Sequence, residues 1–353
     1  MRTFALLLVM FLAGGFVYLF VTAEAPVAEE ATPDASDTAS VPDTTKDFAE
    51  SEITKIHEAF TDSRQCAECH QAVYDEWLGS QHERAWKNPL VAQISDQFRN
   101  KICIDCHAPR PVLETGLERR VLARMTERDD GVNCFSCHAM GGGKIAASRS
   151  GLSAPCNPIF DARLQTVEHC AVCHNQHGTI DEWRETDYAK MDPPMDCAAC
   201  HMPEVERILP DGSSYMGRNH RMLAGHDIDI VRQAPVLEAE IVGDTVQVAV
   251  TNKAGGHNFP TDERHRAVDL VVRILDDSGN LVGEERRDRY RNPYRDEVGL
   301  QNTQIRWNET RSYEWDLEVP SGTVDVKLIY KLTPYIPDDE GQLIFEKKLE
   351  FGR

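Results

Sequence analysis

The sequence predicts an α+β chain in two folded parts. The first is a cysteine-rich segment of mostly short helices with little regular structure. The second is an antiparallel, immunoglobulin-like β-sandwich. Three observations predict this. Ten of the eleven cysteines recur in one five-residue pattern between positions 66 and 201. Past about residue 232 that pattern stops, and apolar residues alternate with polar ones. Ahead of both parts lie an apolar run and then a stretch without apolar periodicity.

The apolar run is Phe4 to Thr22, nineteen residues without a charge, behind Arg2. At helical rise it nearly spans a bilayer core, and it is longer than the apolar core of an ordinary signal peptide. It has no polar face, which argues against a buried core helix. It has no cysteine to carry a lipoprotein anchor. Residues 1–23 are therefore expected to be a transmembrane anchor or a signal peptide cleaved after Ala23. Either one puts the rest of the chain on the periplasmic or extracytoplasmic side, anchored to the inner membrane or secreted. Residues 24–50, rich in Ala, Pro, Thr, Asp and Glu, read as a disordered acidic linker.

The five motifs fall within the next expected domain, 51–232. They are Cys66-Ala-Glu-Cys69-His70, Cys103-Ile-Asp-Cys106-His107, Cys134-Phe-Ser-Cys137-His138, Cys170-Ala-Val-Cys173-His174 and Cys197-Ala-Ala-Cys200-His201. C-x-x-C-H is the signal for covalent attachment of haem c. Two thiols three positions apart lie on one side of a helical turn and reach the two vinyl groups. The histidine that follows points at the iron as proximal ligand. C-x-x-C pairs also build zinc sites and redox dithiols, but neither needs a histidine directly after the second cysteine, and here all five have one. Five covalently bound haems are expected. A segment this short cannot build an ordinary apolar core, and aromatic residues are only 7% of the chain. The porphyrins serve as the core, so the domain is haem-cored, and close stacking also suits electron transfer.

Candidates for the opposite face of each iron come from the eight remaining histidines. His82 lies in Trp77-Leu-Gly-Ser-Gln-His82, with helical-looking flanks. His169 directly precedes Cys170, so it can serve only a neighbouring haem, and the same holds for His177. His220 and His226 bracket a loop able to arch back over the cluster. His257 lies in Gly255-Gly256-His257-Asn-Phe-Pro260, where two glycines and a proline fix an unusual backbone. His57 is a reserve and His265 reads as surface. Histidine at both axial positions favours low potentials. The eleventh cysteine, Cys156, reads as a small buried residue, with a thiol beside an open haem as the sharper alternative.

At these motifs the chain resembles the multihaem cytochromes of the c-554 type. The resemblance covers roughly residues 55 to 230 and rests on three stretches, C-A-E-C-H-Q-A-V-Y-D-E-W-L-G-S-Q-H from 66, G-V-N-C-F-S-C-H from 131 and D-C-A-A-C-H-M-P from 196. It implies electron transfer along haems stacked in parallel pairs, with His82 as a distal ligand to a haem elsewhere in the chain. The chain departs from that type in having five motifs rather than four and a C-terminal extension. That type also keeps one haem five-coordinate. The stretch G-H-N-F-P-T is similar to a G-H-x-x-P-T-G element of larger multihaem cytochromes, with Asp262 in place of the last glycine. Five-haem nitrite reductases share the haem count, but their C-x-x-C-K is absent here.

The last expected domain, 233–353, reads as strands at 236–242, 245–250, 267–275, 311–317, 324–330 and 343–349, about seven in all, with a turn at Asp277-Ser-Gly-Asn280. It is expected to cap the haem segment, to lend it His257 and to offer a docking surface.

Acidic residues number 58 against 38 basic ones, a net charge of −20. That excludes nucleic acid as partner, since phosphate binding needs a basic face. It favours redox partner proteins with basic docking surfaces. The function expected is an electron carrier, with the N-terminal segment as its membrane contact. A reductase of a small nitrogen or sulfur compound at one open haem is the alternative.

Overall fold

The structure, a computed structural model, describes residues 6–8, 19–21, 60, 62–152, 154–208, 212–261, 266–294 and 297–352. The linker, His57 and His265 lie outside the described residues. The chain divides into two compact units, 1–47 and 48–353. In the first, β1 (Leu6–Leu8) pairs antiparallel with β2 (Leu19–Val21). These six residues belong to the run whose length and hydropathy predict a helix. They are extended instead, because an apolar run alone does not distinguish helix from strand. Among the described residues no helix is long and apolar enough to cross a membrane.

The second unit opens with the helices that carry the motifs. Those helices are α1 (Ser63–Leu78), α3 (Lys101–His107), α5 (Cys134–His138), α6 (Val167–His174) and α9 (Cys197–His201). Between them lie α2 (Pro89–Ile94), α4 (Val112–Thr115), α7 (Thr179–Arg184) and α8 (Asp187–Lys190). Four of the five motif helices end on the motif histidine. The fifth, α1, leaves helical geometry at His70 (φ −121°, ψ 42°) before resuming. Five-residue helices such as α5 and α9 have almost no intrinsic stability. Their starts are fixed by caps directly before the first cysteine, with Asn133 bonding the Ser136 N–H and Asp196 the Ala199 N–H. Such a cap contributes about 1 kcal/mol. Small sheets fill the gaps: β3 (Ala139–Met140), β4 (Lys144–Ala147) and β5 (Pro158–Phe160) form one, and β6 (Glu204–Ile208) with β7 (Ser214–Arg218) form a hairpin. The fold class is thus mixed helix and sheet, and the first part has little regular structure beyond these pieces.

After α10 (Ile228–Gln233) the chain becomes strand. β8 (Pro235–Val242), β9 (Thr245–Asn252) and β12 (Thr310–Asp316) form one antiparallel sheet, in the order β12-β9-β8. A second has the order β11-β10-β13-β14, built from β10 (Ala267–Asp276), β11 (Arg286–Tyr290), β13 (Gly322–Lys331) and β14 (Gln342–Phe351). Both contribute to one apolar core, with Val246, Val248 and Val250 from the first and Leu270, Val272, Val326 and Leu328 from the second. Along β9 buried and half-buried residues alternate, as a strand with one face inward requires. The central strands β10 and β13 are buried on both faces. The six spelled-out strands agree with observation to within a residue or two. The seventh, Arg286-Arg-Asp-Arg-Tyr290, carries four charges and no apolar alternation, so periodicity does not reveal it.

Candidate functional site

Among the described residues, three pairs of imidazoles oppose one another. His82 faces His174 with ring centroids 6.0 Å apart, His138 faces His220 at 6.3 Å, and His201 faces His257 at 6.3 Å. Those distances match two imidazoles bound to one metal from opposite sides: two metal–nitrogen bonds of about 2.0–2.1 Å plus roughly 1.1 Å from each nitrogen to its ring centre give about 6.3 Å. Each pair joins a motif histidine to one outside the motifs. The motifs so paired are the third, fourth and fifth.

The imidazoles are also oriented for ligation. Nδ1 of His107 lies 2.9 Å from the Ala85 carbonyl, that of His138 lies 2.9 Å from Ala146, and that of His201 lies 2.6 Å from Leu223. Nδ1 of His220 lies 2.8 Å from the Arg218 carbonyl, and that of His257 lies 2.8 Å from Asn258. A carbonyl can only accept, so Nδ1 carries the proton in all five rings and Nε2 presents its lone pair. A carbonyl partner on the other ring nitrogen fixes tautomer and ring direction in metal-bound histidines. Burial keeps the distal rings neutral. It pulls the pKa of His82 down to about 3 and those of His220 and His257 down to about 4.

The remaining candidates differ. His169 is partly buried, and both its ring nitrogens are enclosed without a hydrogen-bond partner, the signature of an imidazole aimed at a group other than protein. His226 is exposed, and its Nε2 lies 3.4 Å from the Arg266 guanidinium rather than beside a motif histidine. His70 is exposed at the kink of α1, and His177 is exposed as well.

The ten motif thiols stand where thioether sulfurs belong, and they pair between motifs. Cys66 lies beside Cys134, Cys106 beside Cys173, and Cys170 beside Cys197. Cys137 is the next sulfur felt by both Cys170 and Cys173. By these sulfurs the first motif neighbours the third, the second the fourth, the fourth the fifth, and the third the fourth. Spacing along the chain does not reveal this order. Cys156 lies near the first of these contacts, within the electrostatic reach of Cys66.

Haem c therefore fits the residues present: opposed imidazoles at the right separation, free Nε2 lone pairs, an orphaned buried ring and paired sulfurs beside them. When bound it supplies one-electron iron chemistry. The positioning groups escaped sequence reasoning. Backbone carbonyls have no sequence signature, and Glu76 and Glu182, which bond the loops bearing His220 and His257, look like ordinary surface glutamates.

A family model, cytochrome c554 and c-prime, matches residues 65–139, which hold the first three motifs. Among solved structures, the chain is similar to a penta-heme cytochrome c552 from Thermochromatium tepidum, at 19% identity and a TM-score of 0.61, over 84% of this chain and all of that one. That coverage exceeds what the C-x-x-C-H segment alone can supply, so the likeness in fold extends into the sheets. A hypothetical protein from Pyrococcus horikoshii OT3 matches with a TM-score of 0.21 at 16% identity, over 33% of this chain and 85% of that one. A superoxide reductase in the oxidized state matches with 0.18 at 14% identity, over 33% and 86%. Those two scores are too low to carry an argument. No curated protein matches the chain. The motifs, the opposed imidazoles and the family match converge: the chain is a multihaem c-type cytochrome, and its residues 65–139 match the family model of cytochrome c554 and c-prime.

Proposed function

We propose that the protein carries electrons between redox partners along five covalently bound, mostly bis-histidine haems. The observation that supports this best is the set of three opposed imidazole pairs at 6.0–6.3 Å. An iron held from both sides exchanges electrons without binding a substrate. The chain's own contribution is to hold each imidazole in one tautomer and to bring motif sulfurs into contact, so that successive centres lie edge to edge. The path runs from the first motif through the third to the fourth, where the second and fifth also join. A reductase acting on a small nitrogen or sulfur compound needs an open iron, and the three closed pairs remove three irons from that reading.

The C-terminal sheets are read as an immunoglobulin-like sandwich that lends His257 and docks a partner. The charge of −20 steers a basic partner toward the surface at low salt. The apolar run of residues 4–22 is read as an anchor or signal that places the protein on the periplasmic side, where c-type cytochromes generally work.

Electron paramagnetic resonance of the ferric holoprotein tests the carrier reading. Low-spin signals that account for the paired irons are expected. A stoichiometric high-spin signal that binds nitrite, hydroxylamine or sulfite would turn the reading toward the reductase. Salt dependence of electron exchange with a basic cytochrome tests the partner: the rate should fall as salt rises.

A further inference from the structure

Two carboxylates hold the loops that carry distal imidazoles, and each comes from the helical segment of a different motif. Glu76, on α1 behind the first motif, accepts the His220 backbone N–H at 2.9 Å. Glu182, on α7 behind the fourth motif, accepts the Asn258 N–H at 3.2 Å and the Thr261 hydroxyl at 2.8 Å. The Thr179 and Thr261 hydroxyls meet at 2.8 Å beside it. The pattern is the same in both places. The clamped imidazole faces the motif whose sulfur touches the clamping motif, first with third through Cys66 and Cys134, fourth with fifth through Cys170 and Cys197.

Apart from the Thr179–Thr261 contact, the other bonds of the His257 loop among the described residues tie it to its own sheets. Asn252 Nδ2 donates to the His257 carbonyl at 2.7 Å, Gly255 N–H donates to Asn252 at 3.2 Å, and Gln304 donates to the Pro260 carbonyl at 2.6 Å. These shape the loop but do not aim it. Glu182 ties it across to the haem-bearing segment through charge-assisted bonds, which are stronger and more directional than neutral ones.

We propose that Glu182 is a positioning residue: it aims His257 at the iron of the fifth motif and locks the fourth and fifth haems into one register. The proposal rests on the reading of His257 as that haem's distal ligand. Loss of the carboxylate leaves the loop folded but free to withdraw, so the imidazole dissociates and the iron opens. Glutamine keeps an acceptor oxygen and restores much of the hold.

The test uses holoprotein of Glu182→Ala, Glu182→Gln and His257→Ala. It reads the ferric spin state by electron paramagnetic resonance and carbon monoxide binding by the ferrous form. His257→Ala is expected to open one haem fully. Glu182→Ala should raise the carbon monoxide-binding fraction roughly ten- to hundredfold over the unaltered protein, the factor for losing a hydrogen bond to a charged group, and Glu182→Gln should reverse most of the rise. If Glu182→Ala matches the unaltered protein while His257→Ala opens a haem, the clamp is wrong and the ligand stands. If His257→Ala opens none, the ligand reading itself is wrong. Should Glu182→Ala fail to mature, Thr261→Val is read the same way: increased carbon monoxide binding supports the clamp, and none overturns it.

Discussion

Gly131 passes so close to His82 that a β-carbon built on the glycine would lie 2.4 Å from the His82 carbonyl oxygen. The same segment receives the His82 carbonyl bond at the Val132 N–H, 2.9 Å away, and the Trp77 indole N–H bonds the Val132 carbonyl at 2.9 Å. The segment leading into the third motif is thus the seat of the imidazole that faces the fourth. Gly131 also has φ +57°, the left-handed region where a side chain costs about 1–2 kcal/mol before any clash. Gly131→Ala should therefore lower the melting temperature and displace His82. The check is whether ferrous protein gains a carbon monoxide-binding haem. A variant with unchanged melting and no such gain would contradict the account.

Glu76 and Arg207 form an ion pair at 2.5 Å with side chains 16% and 9% exposed. Arg207 also donates to the Arg218 carbonyl at 2.8 Å, the same oxygen that orients His220. Removing one partner of a buried pair leaves an uncompensated charge, at a cost of about 3–5 kcal/mol. Glu76→Ala should be destabilised by that order in denaturant unfolding, and its low-spin spectrum should change because His220 loses its N–H anchor. Glu76→Gln should lose stability while keeping more of the spectrum.

Intact mass of the purified holoprotein should show five haem increments on the polypeptide. Replacing Cys197 and Cys200 together with Ser should remove one increment, and with it the contact to the fourth motif through Cys170. A count that stayed at five in that double variant would show that the fifth motif carries no covalent haem.

Much of this was legible in the sequence, for a chemical reason. Thioether attachment demands two thiols and a histidine at fixed spacing, so the proximal ligands are written locally, and alternation along β8, β9 and β12 follows from one inward face. Distal partners are set by tertiary approach. His257 stood out because Gly255, Gly256 and Pro260 mark its backbone, and His220 because its loop follows the last motif. The groups bonded to them and their loops, Glu76, Glu182 and the Arg218 and Asn258 carbonyls, carry no local signal. His226 had the same loop argument as His220, yet it turns toward Arg266. The strand at 286–290 was hidden because its arginines answer a buried acid, Asp269, on the neighbouring strand.

That acid sets the response of the sheets to low pH. Asp269 is fully buried, 2.7 Å from Arg289 and 3.2 Å from Lys331. Burial alone would raise its pKa, but the Arg289 bond and the nearby cations outweigh that and hold it below the usual range. Asp338 is held lower still, first by its bond to Arg287 and then by Lys331. Both carboxyls bind protons less readily folded than unfolded. Their stabilisation is therefore complete above the unfolded value of about 3.9 and fades as pH falls below it through the folded values. The melting temperature of the sheets, followed by circular dichroism, should be level from pH 7 to about pH 5 and drop below about pH 4. Asp338→Asn should lower the plateau and flatten the drop. An Asp338→Asn curve parallel to that of the unaltered protein would remove these two acids as the cause.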